Sequence, residues 1–334
     1  MMSSIHYIAS WFYYESSDEA SYYPQMGRRG DSPLAHSVYM QIQVPFFVTF
    51  QHYNPEARLL FFTNLEQLPN FLVDLFRHLH VEVVTLPYRC APPKGWYHSW
   101  ANQFYLYDIL QYMENRLKEN DTFTIIDADC ICQRSLVPFF EQVVQTGSGL
   151  YANDMADNWQ SSDLNQGQMT EIYRSFYGTE PLQKLFYYGG EFISLRGDKV
   201  KEVNKAYTPL WQYNLQLFEE QKPKLNQEAL MFSVLAEHLQ IRNSIGNAYI
   251  KRIWTSPKVN NCRLEDKQLT IWHLPYEKRR GLHYLYNDLK RSGYKIADEQ
   301  TFWRNASKYC GVPKITRWKK CRDLLQKMKD VFIR

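Results

Sequence analysis

The chain has 334 residues, of which 45% are hydrophobic and 22% are charged. These values are typical of a folded chain with a sizeable core, and they exclude wholesale disorder. The net charge of +4 is uneven: residues 314–334 contain eight cationic side chains and two aspartates, which gives +6 there and leaves about −2 elsewhere. Because the rest of the chain is slightly acidic and carries no nucleic-acid motif, nucleic-acid binding is disfavoured.

Short apolar runs alternate with helical periodicity over the first two-thirds of the chain, which predicts an α/β domain. In chain order the pattern predicts a strand at 5–10, a helix at 35–50 bent by Pro45, a strand at 58–63, a helix at 69–80, a strand at 81–86, a helix at 100–117 and a strand at 122–126. This order fits a parallel sheet whose ligands gather at the C-terminal ends of the strands.

The later part of the chain has sparser signals. Further strands are predicted at 149–152, 192–195 and 270–273, and a helix at 227–238. A polar stretch up to residue 168 reads as a mobile loop. Six cysteines without a paired CxxC spacing support neither zinc binding nor a disulfide framework. Since no signal peptide or apolar run of ~20 residues occurs, we expect a cytoplasmic protein.

An acidic pair follows the strand predicted at 122–126. Asp127 and Asp129 lie two residues apart directly after an apolar run, so both carboxylates can face one ion. Mg²⁺ and Mn²⁺ prefer such hard oxygen ligands, and they offset the negative charge that develops on a diphosphate leaving group. The alternative is a surface turn that contains two aspartates by coincidence. The position after three earlier strands favours a metal site.

This layout resembles the GT-A nucleotide-sugar transferases, in particular the branch that contains glycogenin and bacterial lipooligosaccharide galactosyltransferases. The resemblance covers roughly residues 5–281 and consists of scattered motifs. It implies a Rossmann-like GT-A domain over residues 1–285, an α/β fold with a mixed sheet flanked by helices, and then a helical basic region over 286–334. In that branch a later histidine completes the acidic pair, and His273 in Ile-Trp-His-Leu-Pro matches it. Asp127, Asp129 and His273 would then hold Mn²⁺ or Mg²⁺.

The residues after this histidine depart from the family pattern. Glycine three residues on is replaced by Tyr276, and lysine six residues on is replaced by Arg279, with Lys278 and Arg280 beside it. Cations at these places suit the departing phosphates. The alternatives are a solvated charge run at 278–280 and a buried, hydrogen-bonded role for His273.

Two further segments resemble the part of the family that surrounds the donor sugar. Gly190 belongs to a Gly-containing strand entry, although a tight turn would use glycine equally well. Asn226-Gln227-Glu228 resembles an acid-Gln-acid helix start, with Asn226 also suited to capping the helix. In an inverting transferase, candidates for the general base on the acceptor hydroxyl are Glu228, Glu191 and Asp154, and in a retaining one Gln227 would share in stabilising the donor sugar. Ala9 and Trp11, in or just after the first strand, are candidates for contacting the nucleotide.

The basic C-terminus has helical spacing. Its apolar residues fall near one side of a helix and are Ile315, Trp318, Leu325, Met328 and Phe332. A basic amphipathic helix suits the anionic inner face of a plasma membrane, where the protein would be peripheral. Packing of the apolar side on the rest of the chain is the alternative.

The resemblance implies transfer of a hexose from a nucleotide diphosphate sugar, a UDP-sugar, to a glycan or lipid-linked acceptor in surface polysaccharide synthesis. Two other classes stay open. Mg-dependent aspartate-nucleophile phosphohydrolases also place an acidic pair after an apolar strand, but they usually carry Thr or Val where this chain has Ile131. A non-catalytic glycan-binding protein would use the aromatic side chains, which make up 16% of the chain.

Overall fold

The computed structural model describes residues 4–332, with the side chains of 154, 327 and 329–332 outside the description. Within this range the strands are β1 (His6–Phe12), β2 (Tyr22–Tyr23), β3 (Arg28–Arg29), β4 (Arg58–Thr63), β5 (Glu82–Thr85), β6 (Thr122–Ile126), β7 (Cys130–Cys132), β8 (Ser148–Asp154), β9 (Gln160–Ser161), β10 (Leu164–Asn165), β11 (Tyr187–Arg196), β12 (Ile250–Arg252) and β13 (Ile271–His273). The helices are α1 (Pro33–Tyr53), α2 (Asn70–Leu79), α3 (Tyr105–Glu114), α4 (Val137–Thr146), α5 (Gln166–Tyr177), α6 (Gly197–Glu219), α7 (Glu228–His238), α8 (Gly281–Arg291), α9 (Glu299–Cys310) and α10 (Arg317–Phe332).

A six-stranded sheet in the order β5–β4–β1–β6–β11–β8 forms the centre of the fold. Strands β5, β4, β1 and β6 run parallel, whereas β11 is antiparallel to both β6 and β8. The predicted α/β architecture with a mixed sheet flanked by helices is therefore confirmed. The parallel arrangement inferred from periodicity holds for the first four strands. The 149–168 region, predicted to end in a mobile loop, instead forms the hairpin β9–β10 and the start of α5.

Side chains of the sheet alternate between two cores, because successive residues of a strand point to opposite faces. In β1, Tyr7 and Ala9 belong to one core, and Ile8 and Phe12 belong to the other. Helices α3, α5, α6 and α7 cover the first face, while α1, α2, α4, α8 and α9 cover the second. The carboxyl ends of β1 and β6 border a cavity, as expected for a ligand site in such a sheet.

A small sheet in the order β12–β13–β7 stands beside these strand ends. Its strand β7 begins just after the acidic turn and rests on α1, where the Cys132 amide donates to Thr49 Oγ1 at 3.0 Å. The Thr49 hydroxyl in turn donates to the Pro45 carbonyl at 2.8 Å. The helix thus runs on through Pro45 to Tyr53 and supports the strand that carries the acidic turn.

The C-terminal region is helical, as the sequence predicts. Helix α8 continues across the boundary proposed at residues 285/286 and packs against both α1 and α9. No helix among the described residues has the length and apolar character that crossing a membrane requires.

Helix α10 is attached to the body by buried charged side chains, together with Trp318, which packs against Tyr284 and Tyr309. Lys319, Arg322 and Asp323 are buried, whereas Leu325 is 60% exposed and Met328 is 50% exposed. Of the other residues predicted to share that side, Trp318 is 40% exposed, Ile315 precedes the helix, and the Phe332 side chain lies outside the description. The physical reason is the buried carboxylate of Glu277, which Lys319 and Arg322 contact.

Candidate functional site

A cavity of about 860 Å³ opens at the carboxyl ends of the parallel strands. This volume lies within the range of small-molecule sites. Its charged, imidazole and amide side chains are Gln25, His98, Asn102, Gln103, Asp127, Asp129, Glu191, Gln227, Glu228, Arg252, Lys258, His273, Lys278 and Arg280. Its large aromatic side chains are Trp11, Phe12, Tyr23, Tyr39, Tyr97, Trp100, Tyr187, Trp254 and Tyr276. Such a lining suits a ligand that is charged at one end and has a flat ring elsewhere.

Asp127, Asp129 and His273 meet at the floor of this cavity. His273 Nε2 lies 3.3 Å from Asp129 Oδ1 and 3.8 Å from Asp127 Oδ2. The Asp129 and His273 side chains are 1% and 3% exposed, whereas that of Asp127 is 40% exposed, into the cavity. His273 Nε2 therefore lies within 4 Å of both carboxylates that the sequence assigns to one metal ion. The ligand atoms that all lie within 4.8 Å of one another belong to Asp129, Cys130 and His273.

The local fold explains this meeting. Asp127 follows β6 and its amide donates to the Glu191 carbonyl at 3.0 Å, which fixes the start of the turn on β11. Asp129 leads into β7, and β13 pairs antiparallel with β7 so that His273 lies opposite Cys130. The Leu274 amide donates to the Asp129 carbonyl at 2.9 Å. Backbone pairing thus sets the distance between the acidic turn and the histidine.

Glu191 and Arg252 form a second layer beneath the histidine. Arg252 donates through Nε and Nη2 to the two Glu191 carboxylate oxygens at 2.7 and 2.6 Å, and His273 Nδ1 lies 3.4 Å from Glu191 Oε1. Burial alone would raise the pKa of Glu191, but the Arg252 charge outweighs it and lowers the pKa to about 2. A carboxylate held this way orients the imidazole, as the outer partners of metal-bound histidines commonly do.

The residues present fit a divalent cation. Asp129 Oδ1 is buried without a hydrogen-bond partner and lies 3.3 Å from His273 Nε2. Burial would lower the pKa of His273, but Asp129 and Glu191 raise it to about 9, so a cation that binds Nε2 displaces a proton. Cys130 Sγ lies within 4.8 Å of the ligand atoms of Asp129 and His273. Because burial raises the pKa of this thiol well above its usual range, it stays neutral and is a poor ligand for a hard cation.

The cations predicted to meet phosphate are placed differently from the family pattern. Lys278 and Arg280 line the cavity, and Arg279 between them does not. Lys278 is buried, and its ammonium pairs with Asp129 Oδ2 and donates to Gln25 Oε1 at 2.9 Å. The pKa of Asp129 is lowered despite its burial, because Lys278 and His273 lie against it. Desolvation by the cavity walls and the Asp129 charge raise the pKa of Asp127, although 40% of its side chain is open to the cavity.

Gly190, Gln227 and Glu228 form another wall of the cavity. A Cβ atom at Gly190 would lie 2.1 Å from Glu228 Oε1, so only glycine leaves room for that carboxyl. Gln227 precedes α7, and its side-chain oxygen accepts a hydrogen bond from the Ser162 hydroxyl. Asn226 does not cap α7; its amide donates to the Ser162 carbonyl at 2.8 Å and holds the β9–β10 hairpin against the helix start.

The remaining predicted residues occupy different positions. Trp11 lines the cavity and packs on Tyr105, with ring centroids 5.9 Å apart. Ala9 is fully buried in β1 and does not line the cavity. Asp154 ends β8 beside Tyr187, and its side chain lies outside the described part of the structure.

Glu228 gives a testable pH dependence. Burial and the nearby Asp127 charge raise its pKa to about 8. The folded protein therefore holds this proton more tightly than the unfolded chain does. The stability of the fold that this proton contributes is lost as pH rises through 8. Wild type should lose this stability as pH rises, whereas Glu228→Gln should not. We therefore expect the free energy of unfolding of Glu228→Gln, relative to that of wild type, to rise by on the order of 2 kcal/mol from pH 6 to pH 9. Urea denaturation in EDTA measures this.

The exposed Glu219→Gln serves as the matched control and should follow the wild-type pH profile. An unchanged pH profile in Glu228→Gln would show that Glu228 is ionised throughout that range.

Several residues of the site carry no signal in the sequence. Arg252 reaches Glu191 because β12 lies parallel to β13, and a strand of three residues is too short for the sequence to indicate this register. Gln25 and Tyr39 approach Lys278 from a loop and from α1, far away in the chain. Gln25 and Tyr39 can be identified as site residues only from their contacts with Lys278 in the structure.

No protein-family model matches the sequence, and no curated protein does. Solved structures similar to the chain include mouse xyloside xylosyltransferase 1 in its apo form, with a TM-score of 0.47 and 12% identity over 80% of this chain and 97% of that one. The apo structure of the bifunctional glycosyltransferase WbbM is similar with a TM-score of 0.49 and 10% identity, over 82% of this chain and 46% of that one.

Proposed function

We propose that the chain is a metal-dependent glycosyltransferase that moves a hexose from a nucleotide diphosphate sugar, a UDP-sugar, to a glycan or lipid-linked glycan acceptor in surface polysaccharide synthesis. The observation that carries the proposal is the cluster of Asp127, Asp129 and His273 with Lys278 beside it, on the floor of a cavity at the strand ends.

The charge pattern of the cavity supports a ligand that contains both a cation and phosphates. The His273 imidazole lies within 4 Å of both carboxylates, and Lys278 and Arg280 line the same cavity. A divalent cation satisfies the first group, and diphosphate oxygens satisfy the second. When bound, Mn²⁺ or Mg²⁺ would offset the charge that develops on the departing diphosphate.

The other walls suit the two ends of a nucleotide sugar. Trp11 offers a flat apolar surface for a nucleobase. Gly190 leaves the backbone exposed to the cavity beside the carboxyl of Glu228, and the Gln227 amide lies next to it. Because the pKa of Glu228 is about 8, this carboxyl keeps its proton at neutral pH and can donate a hydrogen bond to a sugar hydroxyl.

A donor screen tests the proposal. The protein is incubated with UDP-, GDP- and dTDP-sugars and Mn²⁺, and free nucleotide is measured together with calorimetric binding of each nucleotide. We expect slow release from one donor class, dependent on Mn²⁺ and stopped by EDTA. Phosphate release from a generic phosphoester, without binding of any nucleotide, would favour a phosphohydrolase. Glycan binding without nucleotide binding would favour a non-catalytic lectin.

A second part of the proposal places the protein in the cytoplasm, peripheral to the inner face of the plasma membrane. Helix α10 presents Leu324, Leu325 and Met328 to solvent, and Arg317 and Lys320 are exposed beside them. Apolar and basic side chains together favour an anionic bilayer surface. The proposed lipid-linked acceptor would be found at such a surface.

Vesicle sedimentation tests this attachment. We expect binding to vesicles that contain phosphatidylserine and little binding to phosphatidylcholine alone. Leu324→Ser combined with Leu325→Ser should weaken it on the order of tenfold, because buried CH₂ groups drive insertion. Leu182→Ser, at a leucine that is 72% exposed elsewhere, is the matched control. Equal binding by the double variant would exclude α10 as the attachment.

A further inference from the structure

Lys278 occupies the oxygen that a cation at the acidic pair would need. Its ammonium contacts Asp129 Oδ2, while Asp129 Oδ1 faces His273 Nε2 at 3.3 Å. Both partners are buried: the side chain of Lys278 is 7% exposed and that of Asp129 is 1% exposed. A charge pair shielded from water in this way is much stronger than one at the surface.

The charge of Asp127 also acts on the Lys278 ammonium, whereas among the described residues its hydrogen-bond and ring contacts besides Asp129 are neutral. Gln25 Oε1 accepts a hydrogen bond from it at 2.9 Å, and the Tyr39 ring centroid lies 5.7 Å away. Neither group can replace the carboxylate charge of Asp129. An incoming divalent cation would therefore meet a positive charge on its own ligand, and it would bind weakly for as long as Lys278 stayed there.

We propose that Lys278 makes cation binding depend on an anionic phosphate ligand. This inference rests on the proposed function. A diphosphate that enters the cavity offers the ammonium new anionic oxygens, and the long, flexible lysine stem allows the ammonium to move to them. Asp129 Oδ2 is then released to the cation, so that cation and nucleotide diphosphate each strengthen the binding of the other by the same factor.

The experiment measures Mn²⁺ affinity without nucleotide, by the EPR signal of free Mn²⁺, in wild type and in Lys278→Met. We expect wild type to bind Mn²⁺ weakly and Lys278→Met to bind it at least about tenfold more tightly, the scale of a typical coupling between sites. A parallel titration in the presence of UDP should strengthen Mn²⁺ binding by a larger factor in wild type than in Lys278→Met.

Two variants separate the specific contact from loss of charge. Lys258→Met removes an exposed lysine from the same cavity and should leave Mn²⁺ affinity within about twofold of wild type, because exposed charges are screened. Lys278→Arg keeps a cation against Asp129 and should bind Mn²⁺ as weakly as wild type. If Lys278→Met does not fold, Lys278→Gln, which keeps a polar head, replaces it in the same titration.

The outcomes separate the inference from the proposed function. Equal Mn²⁺ affinity of wild type and Lys278→Met without UDP, together with binding of Mn²⁺ and UDP by both, overturns the role of Lys278 and leaves the glycosyltransferase proposal intact. Failure of wild type to bind Mn²⁺ even with UDP overturns the metal-dependent function itself. If Lys258→Met raised Mn²⁺ affinity as much as Lys278→Met does, the effect would come from overall charge, and the inference would be overturned.

Discussion

Replacing Asp129 by alanine is expected to lower Mn²⁺ affinity in the presence of UDP by more than about 100-fold, because even outer partners of metal ligands commonly account for 10- to 100-fold. The variant removes the carboxylate that faces His273, and the buried Lys278 ammonium loses the carboxylate with which it pairs. Its free energy of unfolding should therefore fall as well, by about 3 kcal/mol. Calorimetry measures the first effect and urea denaturation measures the second.

The control for Asp129→Ala is Asp157→Ala, whose side chain is 75% exposed and pairs with Lys184 at the surface. It should change neither quantity, since exposed pairs contribute little. Unchanged Mn²⁺ and UDP binding in a folded Asp129→Ala variant would exclude the acidic pair as the metal site.

Replacing Lys319 by methionine is expected to lower the free energy of unfolding by about 3–5 kcal/mol, the usual cost of removing one partner from a buried ion pair. The Lys319 side chain is fully buried, and its ammonium lies 2.8 Å from Glu277 Oε1 and 2.6 Å from Asp323 Oδ2. It also donates to the Thr255 carbonyl at 3.1 Å. Loss of the ammonium leaves Arg322 as the cation that contacts both carboxylates.

The same variant should also weaken UDP binding. Glu277 directly precedes Lys278, and its carboxylate accepts from the Gly281 amide at 2.9 Å, so it holds the loop that carries the cations of the cavity. Lys320→Met, at the exposed neighbouring position, is the matched control and should change unfolding by less than about 0.5 kcal/mol. A loss below 1 kcal/mol in Lys319→Met, measured by urea denaturation, would show that α10 is not fastened through this lysine.

The sequence predicts the fold where periodicity is strong and uninterrupted. Strand β6 and helix α2 are found within one residue of their bounds, because an apolar run and a regular helical spacing each have one simple reading. Helix α6 was not predicted at all, although it has 23 residues. It contains Pro209, and its polar side chains outweigh the apolar stripe that packs on α3.

The site is predictable to the extent that it depends on local sequence. An acidic pair after an apolar strand indicates Asp127 and Asp129, and the later apolar run indicates His273. The contact of Lys278 with Asp129 depends on the path of the loop after β13, which the family pattern would have assigned to Arg279. The attachment of α10 through charged side chains could not be predicted for a similar reason. A helical net shows which residues of a helix share a side, but it does not show that Lys319 meets the buried Glu277 carboxylate of another segment.

The close approach of Gly190 to Glu228 has a consequence for how the specificity of the cavity can change. At this point the wall is made of backbone, whose position is set by strand β11 rather than by a rotamer. Even one methyl group there must push the Glu228 carboxyl aside. A side chain at position 190 is therefore compatible with this wall only where the residue at 228 is shorter or turned away, so substitutions at 190 depend on the residue at 228.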